Sequence, residues 1–314
     1  MYKRQKLDYA IPLIEKLISI DPSDDDFIFR IALLCFDNER YNLSEKYFNI
    51  LLSKFYVPDN INFFLGQIDY KNKRYDEALL HYKRIQQGTF VNVKTLNVSK
   101  ALLKKYNLEK ALTHIDKEIK IKNQNNLLNS LSLKLSIFEE IGESADIINL
   151  STQILNTFPN NERALYSRAL AYEKEGNIFN MSRDFDEMIK LNKYNSMALN
   201  AYGYSLALHK INLDKSEKLI RKALDIRPGQ AAILDSLAWV LYLKGSYKEA
   251  AKYSSLAYSK DQDPEIVEHH YLILLKNGNS NEAKYILERS IQNNPNSENL
   301  LKLLENSKNS AINL

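Results

Sequence analysis

Apolar residues in this chain recur at the spacing of a helix, not of a strand. Ile28, Ile31, Ala32 and Cys35 stand at i, i+3, i+4 and i+7, as do Leu234, Leu237, Ala238 and Leu241. Residues so spaced share one face of a 3.6-residue helix, whereas a half-buried strand alternates at every second position. A small residue sits in each stripe, and another follows at a fixed distance. Gly66 is followed twelve residues later by Ala78, and Ala238 by Ala250. The pattern predicts short amphipathic helices in pairs, with small residues where the two helices of a pair approach. Cys35 fills an ordinary stripe position, so it reads as a small buried hydrophobe and not as a nucleophile.

The pairing repeats along the chain. In one register, units begin near Asp25, Asp59, Asn92, Leu128, Glu162, Ser196, Ala231 and Pro264, spaced by 33 to 36 residues. Leu followed by a small residue, a gap of twelve and then Ala, at a period of about 34, resembles the tetratricopeptide repeat (TPR). The resemblance implies an all-α fold: a right-handed superhelical solenoid of antiparallel helix pairs. About eight full repeats span 25–297. A half repeat, holding a second helix only, occupies 1–24, and a capping helix with a polar tail occupies 298–314. Pro22, Pro159, Pro228 and Pro295 follow second helices, where a helix has already stopped. Gly142, Gly176, Gly245 and Gly278 are expected in the turns between paired helices. The repeats at Asn92 and Leu128 fit least well, with Ser99 and Leu135 at the small position. His270-Tyr271 replaces the Leu-small pair in the last repeat.

The register also makes Met1 fall partway through a repeat. The helix carrying Ala10 and Leu17 then lacks its partner, and Ile14, Leu17 and Ile18 are expected to lie uncovered. Met1 to Gln5 resembles a translated sequencing adapter, which makes Lys3 and Arg4 foreign to the parent protein. The expectation is that the chain is the C-terminal part of a longer protein.

Composition narrows the chemistry. Lys and Arg total 43 against 39 Asp and Glu, a formal charge of only +4, too small a surplus for a nucleic-acid binder. The single Cys excludes an internal disulfide and a Cys-based zinc site. No stretch approaches the ~20 apolar residues of a membrane helix, so no membrane insertion is expected. Phosphate-loop, zinc-protease and nucleophile-elbow motifs are missing from the sequence. No cofactor or metal is expected. Neighbouring side chains such as His269 and His270 diverge on a helix, and Glu265 with His269 at i, i+4 reads as an exposed helix pair. Lys100–Lys122 carries seven Lys and reads as a solvated helix face. The chain is therefore read as a non-enzyme.

What remains is the concave face that first helices line in a solenoid. Positions five, nine and twelve of each repeat lie roughly opposite the packing stripe. They supply Phe63, Gln67 and Tyr70, then Tyr166, Leu170 and Glu173. Asn200 and Tyr204 follow, then Asp235, Trp239 and Tyr242. Aromatic rings alternating with amides and carboxylates suit an extended peptide, whose side chains the rings bury and whose polar groups the amides satisfy. Trp239 stands about 150° from the centre of its packing stripe at 100° per residue. It reads equally as a groove residue or as packing between neighbouring first helices. Asn200 and Asp235 read as ligands or as a brace between adjacent repeats. None of the ninth positions, from Leu33 to Leu272, is Asn, which disfavours the Lys/Asn/Arg carboxylate clamp of chaperone-tail TPR domains.

Three stretches carry a narrower resemblance: RALYSRALAYEKEGN from Arg163, NAYGYSLA from Asn200 and AILDSLAWVLYLKGSYKEA from Ala232, followed by Asp263-Pro264-Glu265-Ile266. They look like the C-terminal half of proteobacterial outer-membrane TPR lipoproteins. Departures from that pattern are His270-Tyr271 and an extra Asn-rich turn near Asn123–Asn126. The resemblance implies an adaptor that brings a carboxyl-terminal processing protease to substrates that include cell-wall hydrolases. It implies a periplasmic location, anchored at the outer membrane through a lipoprotein leader that is not among these residues. Two alternatives stand beside it: the regulatory TPR region of a larger enzyme, and a cytoplasmic assembly chaperone.

Overall fold

The structure is a computed structural model that describes residues 2–87, 90–295 and 297–312. Among these residues there are eighteen α-helices and no strand. Met1 and the last two residues of the polar tail lie outside them, and so do the side chains of residues 1–8, including Lys3 and Arg4. The helices form two compact units, Met1–Leu150 and Ser151–Leu314.

The first unit contains α1 (Tyr2–Ile20), α2 (Asp25–Asp37), α3 (Tyr41–Ser53), α4 (Pro58–Lys71), α5 (Tyr75–Arg84), α6 (Val91–Lys105), α7 (Leu108–Glu118) and α8 (Gln124–Ile141). Helix α9 (Ser144–Thr157) runs through the division. The second unit contains α10 (Glu162–Lys174), α11 (Ile178–Leu191), α12 (Ser196–Leu208), α13 (Leu213–Ile226), α14 (Ala231–Leu243), α15 (Tyr247–Lys260), α16 (Pro264–Lys276), α17 (Ser280–Asn293) and the terminal α18 (Glu298–Ile312). Within each unit successive helices fold into hairpins, as α4 with α5 and α14 with α15, and neighbouring hairpins stack, as α5 on α6 and α15 on α16.

Local chemistry sets the helix starts. The side chains of Asn161, Asn195 and Asp263 accept backbone N–H bonds at the openings of α10, α12 and α16. Asn123 caps α8 in the same way, accepting the N–H of Asn126 at 2.9 Å. The Asn-rich segment expected as an extra turn is therefore the first turn of a long helix, which opens at Gln124, ahead of Leu128.

The small residues sit where helices of a hairpin touch. Ala32, Ala78, Ala238 and Ala250 are fully buried, and Cys35 lies buried on the same stripe. A Cβ on Gly203 of α12 would come 2.6 Å from Cγ1 of Ile220 and 2.9 Å from the backbone oxygen of Ser216, both on α13. The hydroxyl of Ser216 also donates to the carbonyl of Gly203 at 2.6 Å, which fixes that close approach.

The uncovered face of α1 differs from the expected one. Ile14 is buried and Ile18 packs beside it against α2 and α3. Leu17 is exposed as expected, and the other large apolar residues exposed on α1 are Tyr9, Leu13 and Ile20. The helix turns its Ile14 side toward α2 and α3.

Candidate functional site

In the second unit the first helices α10, α12, α14 and α16 share one face. The hydroxyl of Tyr204 on α12 donates to the carboxylate of Glu265 on α16, passing over α14 between them. Two helices on either side of a third can make that bond only if the three curve toward one another, so this face is concave. Burial and the Glu265 bond raise the Tyr204 hydroxyl far above its ordinary range, so it stays a donor.

Beneath that bond lies Asp235 on α14, 5% exposed. Nδ1 of His269 on α16 donates to its Oδ2 at 2.8 Å. Its Oδ1 is buried and has no hydrogen-bond donor in the protein. Burial raises the Asp235 carboxyl above the usual range, His269 pulls it back, and the nearby Glu265 and Asp263 push it up again. Asn200, at the equivalent fifth position of α12, presents a buried Oδ1 that also lacks a protein donor. The brace between Asn200 and Asp235 does not form, since Asp235 turns to His269 instead.

Trp239 stacks on His269 with ring centroids 4.1 Å apart and planes 16° apart, and on Tyr242 at 5.1 Å and 14°. Trp239 thus packs against the neighbouring first helix while staying only half-buried, so both of its readings stand. Tyr242 continues the row to Tyr247. Tyr166 on α10 is half-buried and meets Phe185 edge-on. Glu173, near the end of α10, lies 2.8 Å from Nε2 of His209 just past α12.

His269 was missed. Expected on an exposed helix pair with Glu265, it is almost fully buried, and so is His270, whose Nδ1 lies 2.9 Å from the hydroxyl of Ser254. A partner one repeat earlier in the chain left no local signal in the sequence. Glu265 and His269 do not share a ligand: one binds Tyr204 and the other Asp235.

The first unit uses the corresponding positions differently. Phe63 stacks on Phe90, with ring planes 7° apart, and lies against the cluster around Ala78 and Tyr82. The amide of Gln67 donates to Asn97 at 3.2 Å, and Tyr70 donates to Glu140 at 3.1 Å. Lys100 and Lys104 converge on the same Glu140 at 3.3 and 3.2 Å. Part of the basic run is therefore engaged across first helices and is not simply solvated. Among the described residues no group of three His, Cys, Asp or Glu side chains comes together to hold a metal, and no helix is long and apolar enough to cross a membrane.

Comparisons with known proteins agree on the architecture. A model of the tetratricopeptide repeat family matches residues 29–89. The TPR repeat-containing protein PA4667 of Pseudomonas aeruginosa is 26% identical over 211 residues. That match takes in 67% of this chain but only 36% of the relative, so the chain spans about a third of the curated relative's length. A tetratricopeptide repeat protein from Parabacteroides merdae superposes with a TM-score of 0.56 at 17% identity, covering 79% of this chain and 98% of its own. PilW, described as a widely conserved type IV pilus biogenesis factor, superposes with a TM-score of 0.55 at 16% identity, over 69% of this chain and all of its own. The chain has the all-α fold of tetratricopeptide repeat solenoids, and residues 29–89 match that family.

Proposed function

We propose that the chain is a non-catalytic interaction scaffold that holds an extended segment of a protein partner along the concave face of the second unit. One observation carries this reading: a row of half-buried aromatic rings (Tyr166, Tyr204, Trp239 and Tyr242) borders buried acceptors that the protein itself leaves unpaired. Rings of this kind bury large areas at low entropic cost, and unpaired acceptors reward a partner that brings donors. The resemblance to outer-membrane TPR lipoproteins supports a finer proposal. The partner is a carboxyl-terminal processing protease, to which the scaffold delivers cell-wall hydrolases in the periplasm, tethered to the outer membrane by a leader outside these residues.

The test is binding of the purified protease from the same genome to the full chain and to a Tyr166→Ala, Tyr242→Ala variant of unchanged helix content. Binding by the native chain that weakens at least tenfold in the variant is expected. Equal binding by both removes this face from the interaction. No binding to the native chain removes the protease as partner.

A further inference from the structure

Among the described residues on the concave face of the second unit, the unpaired buried atoms are two acceptors, Oδ1 of Asn200 and Oδ1 of Asp235. Asp235 keeps one carboxylate oxygen free after its bond to His269, and Asn200 keeps its amide oxygen free one helix away. Leaving a buried acceptor unmade is unfavourable, and more so when it is charged. The two residues hold the same position on α12 and α14, helices in direct contact, whose axes in such packing run about 8–10 Å apart. The charged groups around them are predominantly acidic: Glu265 and Asp263 act on Asp235, and Glu268 joins them at Tyr204. Glu265 is exposed and stands at the rim, its carboxylate held by Tyr204.

We infer that Asn200 and Asp235 form a receptor for an arginine side chain of the partner segment, with Glu265 as the acceptor at its entrance. This deepens the groove reading and rests on it. A guanidinium offers five donors in a planar fork, enough to serve two separate acceptors at once, and it slides against aromatic rings such as Tyr204 and Trp239 at little desolvation cost. Lysine, a compact and strongly hydrated charge, serves the two acceptors less well. The Tyr204–Glu265 bond lies over the receptor, so the arriving cation takes Glu265 from the tyrosine as it enters. His269 sets the aim: by occupying Oδ2 it leaves Oδ1 as the oxygen on offer.

The chain's single Trp reports on the site directly, because Trp239 stacks on the His269 that bonds Asp235. The test titrates the full chain with a nine-residue Ser/Gly peptide bearing a central arginine, following Trp239 emission. Matched peptides carry lysine, glutamate or citrulline, the neutral isostere of arginine. The arginine peptide is expected to bind at least tenfold more tightly than the citrulline peptide, with lysine between them and glutamate weakest. In Asp235→Asn, which keeps an acceptor for His269, the arginine peptide is expected to fall to the citrulline level. Equal binding of arginine and citrulline peptides to the native chain overturns the receptor and leaves the groove standing. So does failure of every peptide while the protease still binds. Failure of peptides and protease alike overturns both readings.

Discussion

The two units are built from the same hairpin, but they keep it to different tolerances. In the second, the eight helices from α10 to α17 alternate between 13 and 14 residues without exception. In the first, α2 to α8 run 13, 13, 14, 10, 15, 11 and 18 residues. Equal helices let each hairpin present the same surface to the next, so equivalent residues on successive first helices fall in line. Asn200 and Asp235 are an example. Unequal helices break that line, and the concave positions of the first unit spend their polar groups on one another, as Tyr70, Lys100 and Lys104 do on Glu140. In the uneven unit Glu140 is held by three donors from neighbouring first helices, while in the even unit Asn200 and Asp235 keep an acceptor open.

The units also bury acid in different ways, which gives the largest effect to measure. In the second, Arg168 forms a two-pronged pair with Asp184 at 2.7 and 2.8 Å and donates to Thr152 at 3.0 Å. The arginine is 12% exposed and the aspartate 2%. In the first, buried Asp69 meets Arg74 at 2.6 Å, but that arginine is 40% exposed and also serves Glu45. Burial raises the Asp69 carboxyl to about 6. Its folded value exceeds its unfolded one, so this group favours the folded unit at low pH, and that contribution fades as pH rises from about 4 to 6. Arg168→Ala strands a buried charge and is expected to cost about 3–5 kcal/mol in denaturant melts. Arg74→Ala is expected to cost only about 1–2 kcal/mol at pH 7, and less near pH 5, where Asp69 takes up a proton in its place. Equal, pH-independent losses in the two variants would erase the contrast.

The sequence disclosed the regular parts of the molecule and hid the cooperative ones. Stripe positions and small residues were legible because each is decided within one hairpin: Ala32, Ala238 and Cys35 are buried as their spacing requires. The opening of α8 was misplaced because Asn is both a turn former and a helix cap, and only its bond to Asn126 decides which. The concave face was legible as a list of positions. Its chemistry was not, because His269 belongs to Asp235 through space, across a repeat, and Glu265 to Tyr204 across two. The angle of Trp239 left groove ring and packing equally open, because a ring on that side of α14 also reaches the next first helix.

The next test asks what the even spacing demands of its small residues. Gly203→Ala in the second unit sets a methyl group against the Ser216 backbone oxygen, which cannot step aside. The methyl of Gly66→Ala in the first unit meets the ring of Tyr82 at 2.5 Å, a side chain, though a buried one. Gly203→Ala is expected to cost about 2–3 kcal/mol and Gly66→Ala about 1–2, both by thermal or urea melts. The reverse order would mean that the second unit absorbs strain more readily than the first, against its regularity.

The smallest effect isolates the turn between paired helices. Gly245 in the second unit and Gly142 in the first make that turn at φ 81 and 83, whereas Lys73 and Glu39 in the first and Lys210 in the second carry a side chain through the same region at φ 61, 58 and 53. A side chain in the left-handed region is strained by about 1 kcal/mol relative to glycine, which itself gives back part of that through the entropy of the unfolded chain. A Cβ at Gly245 would meet nothing within 4 Å, so Gly245→Ala measures backbone strain alone. It is expected to destabilise the second unit by about 1 kcal/mol, while Lys73→Gly is expected to stabilise the first by about 0.5–1 kcal/mol. Amide exchange localised to each unit separates the two changes. If Lys73→Gly destabilises, then contacts of the lysine side chain, and not its backbone angle, explain why the first unit dispenses with glycine at that turn.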